Sequence, residues 1–183
     1  MTSVPSASTA DTNAIVSPSF AVEFDKLGGL AVMNLEGVQA KYDDPDEVIN
    51  EIVQSPESEV TALVKKVYSA PIQEDLISAH IEEIKSKGAK CAVSVTPANT
   101  KRIAPPATEA GADVLVVQST VTTARHTYKS VRGLRFPGLM EMVGIPVLVG
   151  NCVSYDVALE LMESGVQGVL VGVRPGRHAR HER

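Results

Sequence analysis

Hydrophobic and polar positions alternate between two periods along this chain. Residues 1–12 show neither period and are rich in Ser, Thr and Ala, so no element is predicted there. Ser17-Pro18 reads as a helix N-cap followed by proline at the first helical position. Phe20, Ala21, Phe24 and Leu27 then keep helical spacing up to Gly28-Gly29. Leu30 to Leu35 is a short run of strand length, nearly all apolar, the pattern of a strand buried on both faces. Helices are predicted from Asp44-Pro45 through Val53, from Glu57 to Ser69 and from Gln73 to Lys87, the last stopped by Gly88. Strand Cys91–Val95, a helix from Thr100 to Ala110, strand Val114–Val117, a loop and short helix to Val143, strand Val147–Val149, helix Tyr155–Ser164 and strand Val169–Gly172 follow. Pro105-Pro106 is expected to break or kink its helix, and Ser154 to cap the helix at Tyr155.

About five βα-type units in series predict an α/β fold with parallel strands and right-handed crossovers. Either a doubly wound sheet or part of a (β/α)8 TIM barrel fits this order. A whole barrel needs roughly 250 residues, and the chain has 183, so a partial barrel is expected. The organisation read from the chain is residues 1–12 without regular structure, 13–176 as the partial barrel, and 177–183 as a basic tail.

Composition narrows the function. The chain is 44% hydrophobic and 21% charged with a net charge of -5, which disfavours nucleic acid and acidic membranes as partners. Cys91 and Cys152 are far apart and form no CxxC pair, which fits a reducing cytoplasm. No long apolar run and no leader pattern at Met1–Val16 is present, so export and membrane insertion are not expected. Ligands of such folds gather at the carboxyl ends of the strands. Those positions are Asn34–Gly37, Thr96-Pro97, Gln118-Ser119-Thr120, Gly150-Asn151-Cys152 and Gly172–Gly176. Amides, hydroxyls and glycines dominate them, which suits a nucleotide or flavin pocket better than a metal hydrolase, although each is also an ordinary turn residue. His178 and His181 lack carboxylate or thiolate partners for a metal, His80 reads as solvated, and His126 falls in the loop beside the presumed pocket.

Four segments then carry a resemblance: Gly28-Gly29-Leu30-Ala31-Val32-Met33-Asn34-Leu35-Glu36-Gly37 with Tyr42-Asp43-Asp44-Pro45; Ala110 to Gln118; Ile145 to Tyr155; and Gly165 to Gly176. Together they resemble the IMP dehydrogenase/GMP reductase family, in its IMP dehydrogenase-related branch, over Asn13 to Gly176. The resemblance implies a TIM barrel of purine nucleotide metabolism, tetrameric and cytoplasmic, that oxidises IMP to XMP with NAD. Sister enzymes reduce GMP with NADPH, and the sequence leaves the two reactions open. It further implies that Gln118 stands at the nicotinamide ribose and that Ser119, Thr120 and Gly172 meet the cofactor. Gly150 and Asn151 would lie beside the substrate, and Gly176 would give a carbonyl to a potassium ion. Arg174 replaces a glycine of that potassium loop.

After Gly176 the family continues with the nucleophile loop Cys-Thr-Thr-Arg, where this chain reads Arg177-His178-Ala179-Arg180-His181-Glu182-Arg183. No catalytic cysteine is therefore assigned, since Cys91 reads as core and Cys152 matches an ordinary pocket position. Removing the first base of GCG-CCA-TGC-ACG-ACA-CGA-G turns Ala-Pro-Cys-Thr-Thr-Arg into the string Arg177–Glu182, so a frameshifted and inactive fragment is one expectation. An FMN-dependent nitronate oxidase or enoyl reductase barrel is a further alternative, sharing the Gly-Gly-Leu and Val-Pro-Val-Leu segments.

Overall fold

The computed structural model describes residues 16–118 and 136–172. Helix α1 (Pro18–Lys26) begins where the Ser17 hydroxyl accepts the Phe20 N–H at 3.2 Å, and it ends at Gly28, whose φ of 81° suits a residue without Cβ. Strand β1 (Val32–Asn34) is shorter than its apolar run suggests, because pairing with β2 (Ala92–Val95) covers only three residues of it. Between these strands lie α2 (Pro45–Gln54), capped by the Asp44 carboxylate on Glu47 N–H, then α3 (Glu57–Ser69) and α4 (Glu74–Ser86). The remaining elements are α5 (Thr100–Glu109), β3 (Val114–Gln118), α6 (Phe136–Val143), β4 (Val147–Cys152), α7 (Tyr155–Glu163) and β5 (Gly168–Val171).

All four strand pairings are parallel and the spatial order is β1-β2-β3-β4-β5. A doubly wound sheet reverses its order at a switch point, and this one does not. With right-handed crossovers a monotonic order puts successive helices on one side of the sheet, which is the arc of a (β/α)8 barrel. Burial agrees. On the helix side Met33, Val93, Val95, Leu115, Val117, Val147 and Val149 join Ile77, Ile81, Ile84 and Ile103 in one core. On the other side Leu30, Val32, Ala92 and Val116 form a second cluster with Val114, Leu148 and Leu170. Both faces being apolar explains why the strands read as continuous hydrophobic runs.

Helices α2 and α3 stand outside this layering: α2 has no fully buried residue and α3 has only Val67. The end of α3 is fastened by Lys41, 9% exposed, whose ammonium donates to the carbonyls of Tyr68 (3.1 Å) and Ala70 (2.6 Å). A cation on carbonyls at a helix C-terminus is the arrangement the helix dipole favours. Tyr42 Oη donates to the Val67 carbonyl, and Gln73 Nε2 donates to the Lys41 carbonyl, closing the fastening.

Four expectations need correction. Pro105-Pro106 does not break its helix, since α5 runs through both prolines. The carbonyls that lose their i+4 donors belong to Lys101 and Arg102, which are exposed to solvent, while Ile103, Ala104 and Ala107 are buried and anchor the helix. Strand β4 extends to Cys152, so Gly150 and Asn151 lie in the strand rather than after it. Ser154 occupies the N-cap of α7, but its side chain makes no capping bond. His80 is half-buried, with Nε2 3.0 Å from the Gln39 carbonyl, because α4 packs against the turn at Val38–Ala40.

Candidate functional site at the carboxyl ends of the strands

Side chains alternate along a strand, so the second cluster identifies the residues above it on the inner face. Val32 leads to Asn34, Ala92 to Ser94, Val116 to Gln118 and Leu148 to Gly150. The strand register makes these positions neighbours in two pairs: Asn34 opposes Ser94, and Gln118 opposes Gly150. The apolar floor of the arc is thus rimmed by amide, hydroxyl and glycine at its carboxyl end. Ser94, 4% exposed, was not singled out by the sequence, because a serine inside a valine-rich strand reads as core.

The β1 and β2 ends are locked together by Glu36. Its carboxylate accepts the Thr96 N–H (2.6 Å), the Thr96 hydroxyl (2.9 Å) and the Asn99 amide. Asn34 Oδ1 accepts the Glu36 N–H at 2.8 Å, and Gln39 Nε2 donates to the Asn34 carbonyl at 3.0 Å. Asn99 is the N-cap residue of α5, so a carboxylate sits at that helix's positive end. Glu36 lies in the Asn34–Gly37 loop, and no role for it follows from the family resemblance. A carboxylate directly after a strand, in a rim otherwise without acids, is the signal that was there to use.

The β4 and β5 ends are joined differently. Asn151 Nδ2 donates to the Gly172 carbonyl at 3.0 Å, and Gly172 N–H donates to the Cys152 carbonyl at 2.7 Å. Gly172 has φ of 100°, and a Cβ there would meet nothing within 4 Å among the described residues. Gly150 is glycine for a packing reason: a Cβ would stand 2.5 Å from Leu170 Cβ and 2.7 Å from the Leu170 carbonyl oxygen. The Gly150–Asn151 peptide is cis, and the register of β4 against β5 shifts there, with Gly150 opposite Leu170 and Cys152 opposite Val171.

Four of the sequence-assigned residues, Gln118, Gly150, Asn151 and Gly172, therefore fall along one rim. Ser119, Thr120, His126, Arg174 and Gly176, and with them the potassium loop and the basic tail, lie outside the described residues. Both cysteines are buried and free. Burial, helped by the Asp113 carboxylate and opposed by Lys85, pushes the Cys91 thiol up to about 12, so it is not a nucleophile near neutral pH. Asp113 itself pins the opposite, amino-terminal end of the sheet, accepting Cys91 N–H (2.7 Å) and pairing with Lys85 (2.8 Å). Among the described residues no group of three or more His, Cys, Asp or Glu side chains is placed to hold a metal, and no helix is long and apolar enough to cross a membrane.

Comparison with known proteins extends this geometry. An uncharacterised oxidoreductase of Mycolicibacterium smegmatis is 35% identical over 166 residues, which are 88% of this chain and 44% of that protein. An uncharacterised oxidoreductase of Mycobacterium tuberculosis is 34% identical over the same shares. The inosine-5'-monophosphate dehydrogenase of Cryptosporidium parvum is 37% identical over 68 residues, covering 37% of this chain and 16% of that one. The crystal structure of an IMP dehydrogenase/GMP reductase-like protein from Corynebacterium glutamicum superposes with a TM-score of 0.79 at 32% identity, over 90% of this chain and 44% of the other. The chain thus spans less than half the length of these relatives, the dehydrogenase fragment match included. The model of the IMP dehydrogenase / GMP reductase domain matches residues 3–179, and on that match the chain belongs to the IMP dehydrogenase/GMP reductase family.

Proposed function

We propose that this chain forms part of an oxidoreductase barrel that oxidises a purine nucleotide, IMP to XMP, with NAD. The observation that supports it is the rim of Asn34, Ser94, Gln118, Asn151 and Gly172 at the carboxyl ends of the strands, in a chain of this family. Its donor set suits a nucleotide. Amides meet ribose hydroxyls and purine edges in both hydrogen-bonding senses, and among the described residues nothing stands within 4 Å of the side where Gly172 lacks a Cβ. NAD, when bound, accepts the hydride released by the purine. Gln118 would hold its ribose, Gly172 would offer backbone beside its ring, and Asn151 would stand beside the purine. Glu36 keeps the β1 and β2 ends of the rim in place. Neither buried cysteine attacks the substrate, so the described residues bind and orient without supplying the nucleophile that the family's chemistry uses.

Saturation-transfer NMR on the purified chain tests this. IMP and NAD should both receive saturation, Asn151→Ala should weaken the IMP signal and Gln118→Ala the NAD signal, and no IMP-dependent NAD reduction should be seen. Absence of binding by both nucleotides, or displacement of both by FMN, overturns the reading; turnover by the chain overturns the assignment of its cysteines.

A further inference from the structure

Resting on the nucleotide reading above, we propose that the Ser94 hydroxyl is a ligand contact, kept buried and unpaired in the free chain to meet a ribose hydroxyl of a bound nucleotide. Four polar residues are buried among the described residues: Gln39, Lys41, Ser94 and Thr100. Three of them have partners. Gln39 Nε2 donates to the Asn34 carbonyl, Lys41 Nζ to the carbonyls that close α3, and Thr100 Oγ1 to the Thr96 carbonyl at 2.9 Å. Ser94 is the exception. Its carbonyl accepts the Leu35 N–H at 3.0 Å, but its hydroxyl has no hydrogen-bond partner among the described residues. An unpaired hydroxyl taken from water destabilises a chain, so the partner that accounts for it is one that arrives after folding.

The place of Ser94 narrows what that partner is. It stands in the second strand of five, inside the sheet rather than at an edge. Its register partners are Asn34 of β1 and Val116 of β3, and Val116 in turn faces Leu148 of β4. Ser94 therefore sits in the layer beneath Gln118 and Gly150, with Ala92 below it on the inner face. Neighbouring polar groups are fixed by Glu36: its carboxylate accepts the Thr96 hydroxyl at 2.9 Å, and Asn34 Oδ1 accepts its N–H at 2.8 Å. A single hydroxyl beside Val116 and Leu148 fits a group that is apolar across one face and carries hydroxyls at its edge. A ribose is such a group. Its C–H face packs on valine and leucine, and its hydroxyls donate and accept, which a serine answers in either sense. A phosphate fits less well, because the layer of Asn34, Ser94, Val116 and Leu148 offers it no cation. IMP and NAD both carry ribose, and the measurement separates them.

Ser94→Ala removes one oxygen atom from the buried position. Two measurements on the full chain read its effect: urea unfolding without ligand, and separate titrations with IMP and NAD followed by amide chemical shifts. The urea midpoint of the free chain should rise, because the unpaired hydroxyl is gone. Affinity for one of the two nucleotides should fall about fivefold, the worth of one neutral hydrogen bond, and that nucleotide is the one whose ribose Ser94 meets. Its 2′-deoxy or its 3′-deoxy form should then bind the native chain and Ser94→Ala alike. Ser86→Ala, exposed on α4 with its hydroxyl on the Glu83 carbonyl, should change neither midpoint nor affinity. An unchanged or lower midpoint for Ser94→Ala means that the hydroxyl is already satisfied and overturns the proposal. Equal affinity of native chain and variant for both nucleotides, or a fivefold loss that persists with both deoxy forms, overturns it too while the nucleotide reading stands. A native chain that binds neither IMP nor NAD overturns that reading and the Ser94 contact together.

Discussion

A thiol held protonated well above its ordinary range makes the fold's stability depend on pH. Cys91 begins the β2 segment 1% exposed, and burial, with Asp113 beside it, moves its pKa from 9.0 to about 12. Below pH 9 the thiol is protonated whether the chain is folded or not, and the group adds no pH dependence. Between pH 9 and about 12 the unfolded chain releases the proton while the folded chain keeps it, so stability falls as pH rises. The slope from this one group approaches about 1.4 kcal/mol per pH unit. Cys91→Ala lacks it. The difference in urea-unfolding stability between the native chain and Cys91→Ala should therefore shrink from pH 9 towards pH 11, and a constant difference would show that the thiol ionises normally. Glu36 and Asp113 show a related division at this scale: each carboxylate ties the start or end of one strand to another element, one at the carboxyl rim and one at the opposite end.

At the scale of elements, α5 is the clearest case of packing overriding local preference. A proline in a helix interior costs about 3 kcal/mol relative to alanine in model hosts, yet α5 holds two. Thr100 (0% exposed), Ile103, Ala104 and Ala107 are buried against the sheet and neighbouring helices, and only exposed carbonyls go without donors. Pro105→Ala restores one donor, on a half-buried position, and should raise the midpoint of thermal unfolding; an unchanged or lower midpoint would mean that the rigidity proline gives the unfolded chain outweighs the lost bond. The strands and helices were otherwise legible in order and kind, because each apolar run was bounded by a cap or a glycine such as Ser17, Asp44, Gly88 or Gly111. The β4 end was not legible. Gly150 and Asn151 are loop residues by composition, and pairing of Gly150 with Gln118 of β3 and Leu170 of β5 carries the strand through them. The rim was half legible for the same reason: Gln118 and Asn151 stood out after apolar runs, whereas Ser94 is recognised only through its register with Asn34, and the position of Glu36 is visible in the sequence but its partners, about sixty residues on, are not.

For the described residues the arrangement of the edges governs behaviour. A parallel sheet needs both faces and both edges covered, and among the described residues three large hydrophobics of α7 and Val171 are exposed on the α7–β5 side. The α2–α3 pair, fastened chiefly at Lys41 and scarcely buried, is a second region with little to hold it. Calorimetry on the chain alone should give a broad transition with a van't Hoff enthalpy below the calorimetric one; equal enthalpies and a sharp peak would show that the arc closes on itself as one cooperative unit.

The strand order has one more consequence. Because β1 to β5 lie side by side in the order in which they occur, each strand needs only its predecessor to pair with, and no strand waits for one made much later. Synthesis can therefore run as successive addition, each new unit docking on a template already outside the ribosome, and loop-closure entropy is met in small instalments. A barrel wound in this way grows like a stack laid from one end, with its newest layer always the exposed one.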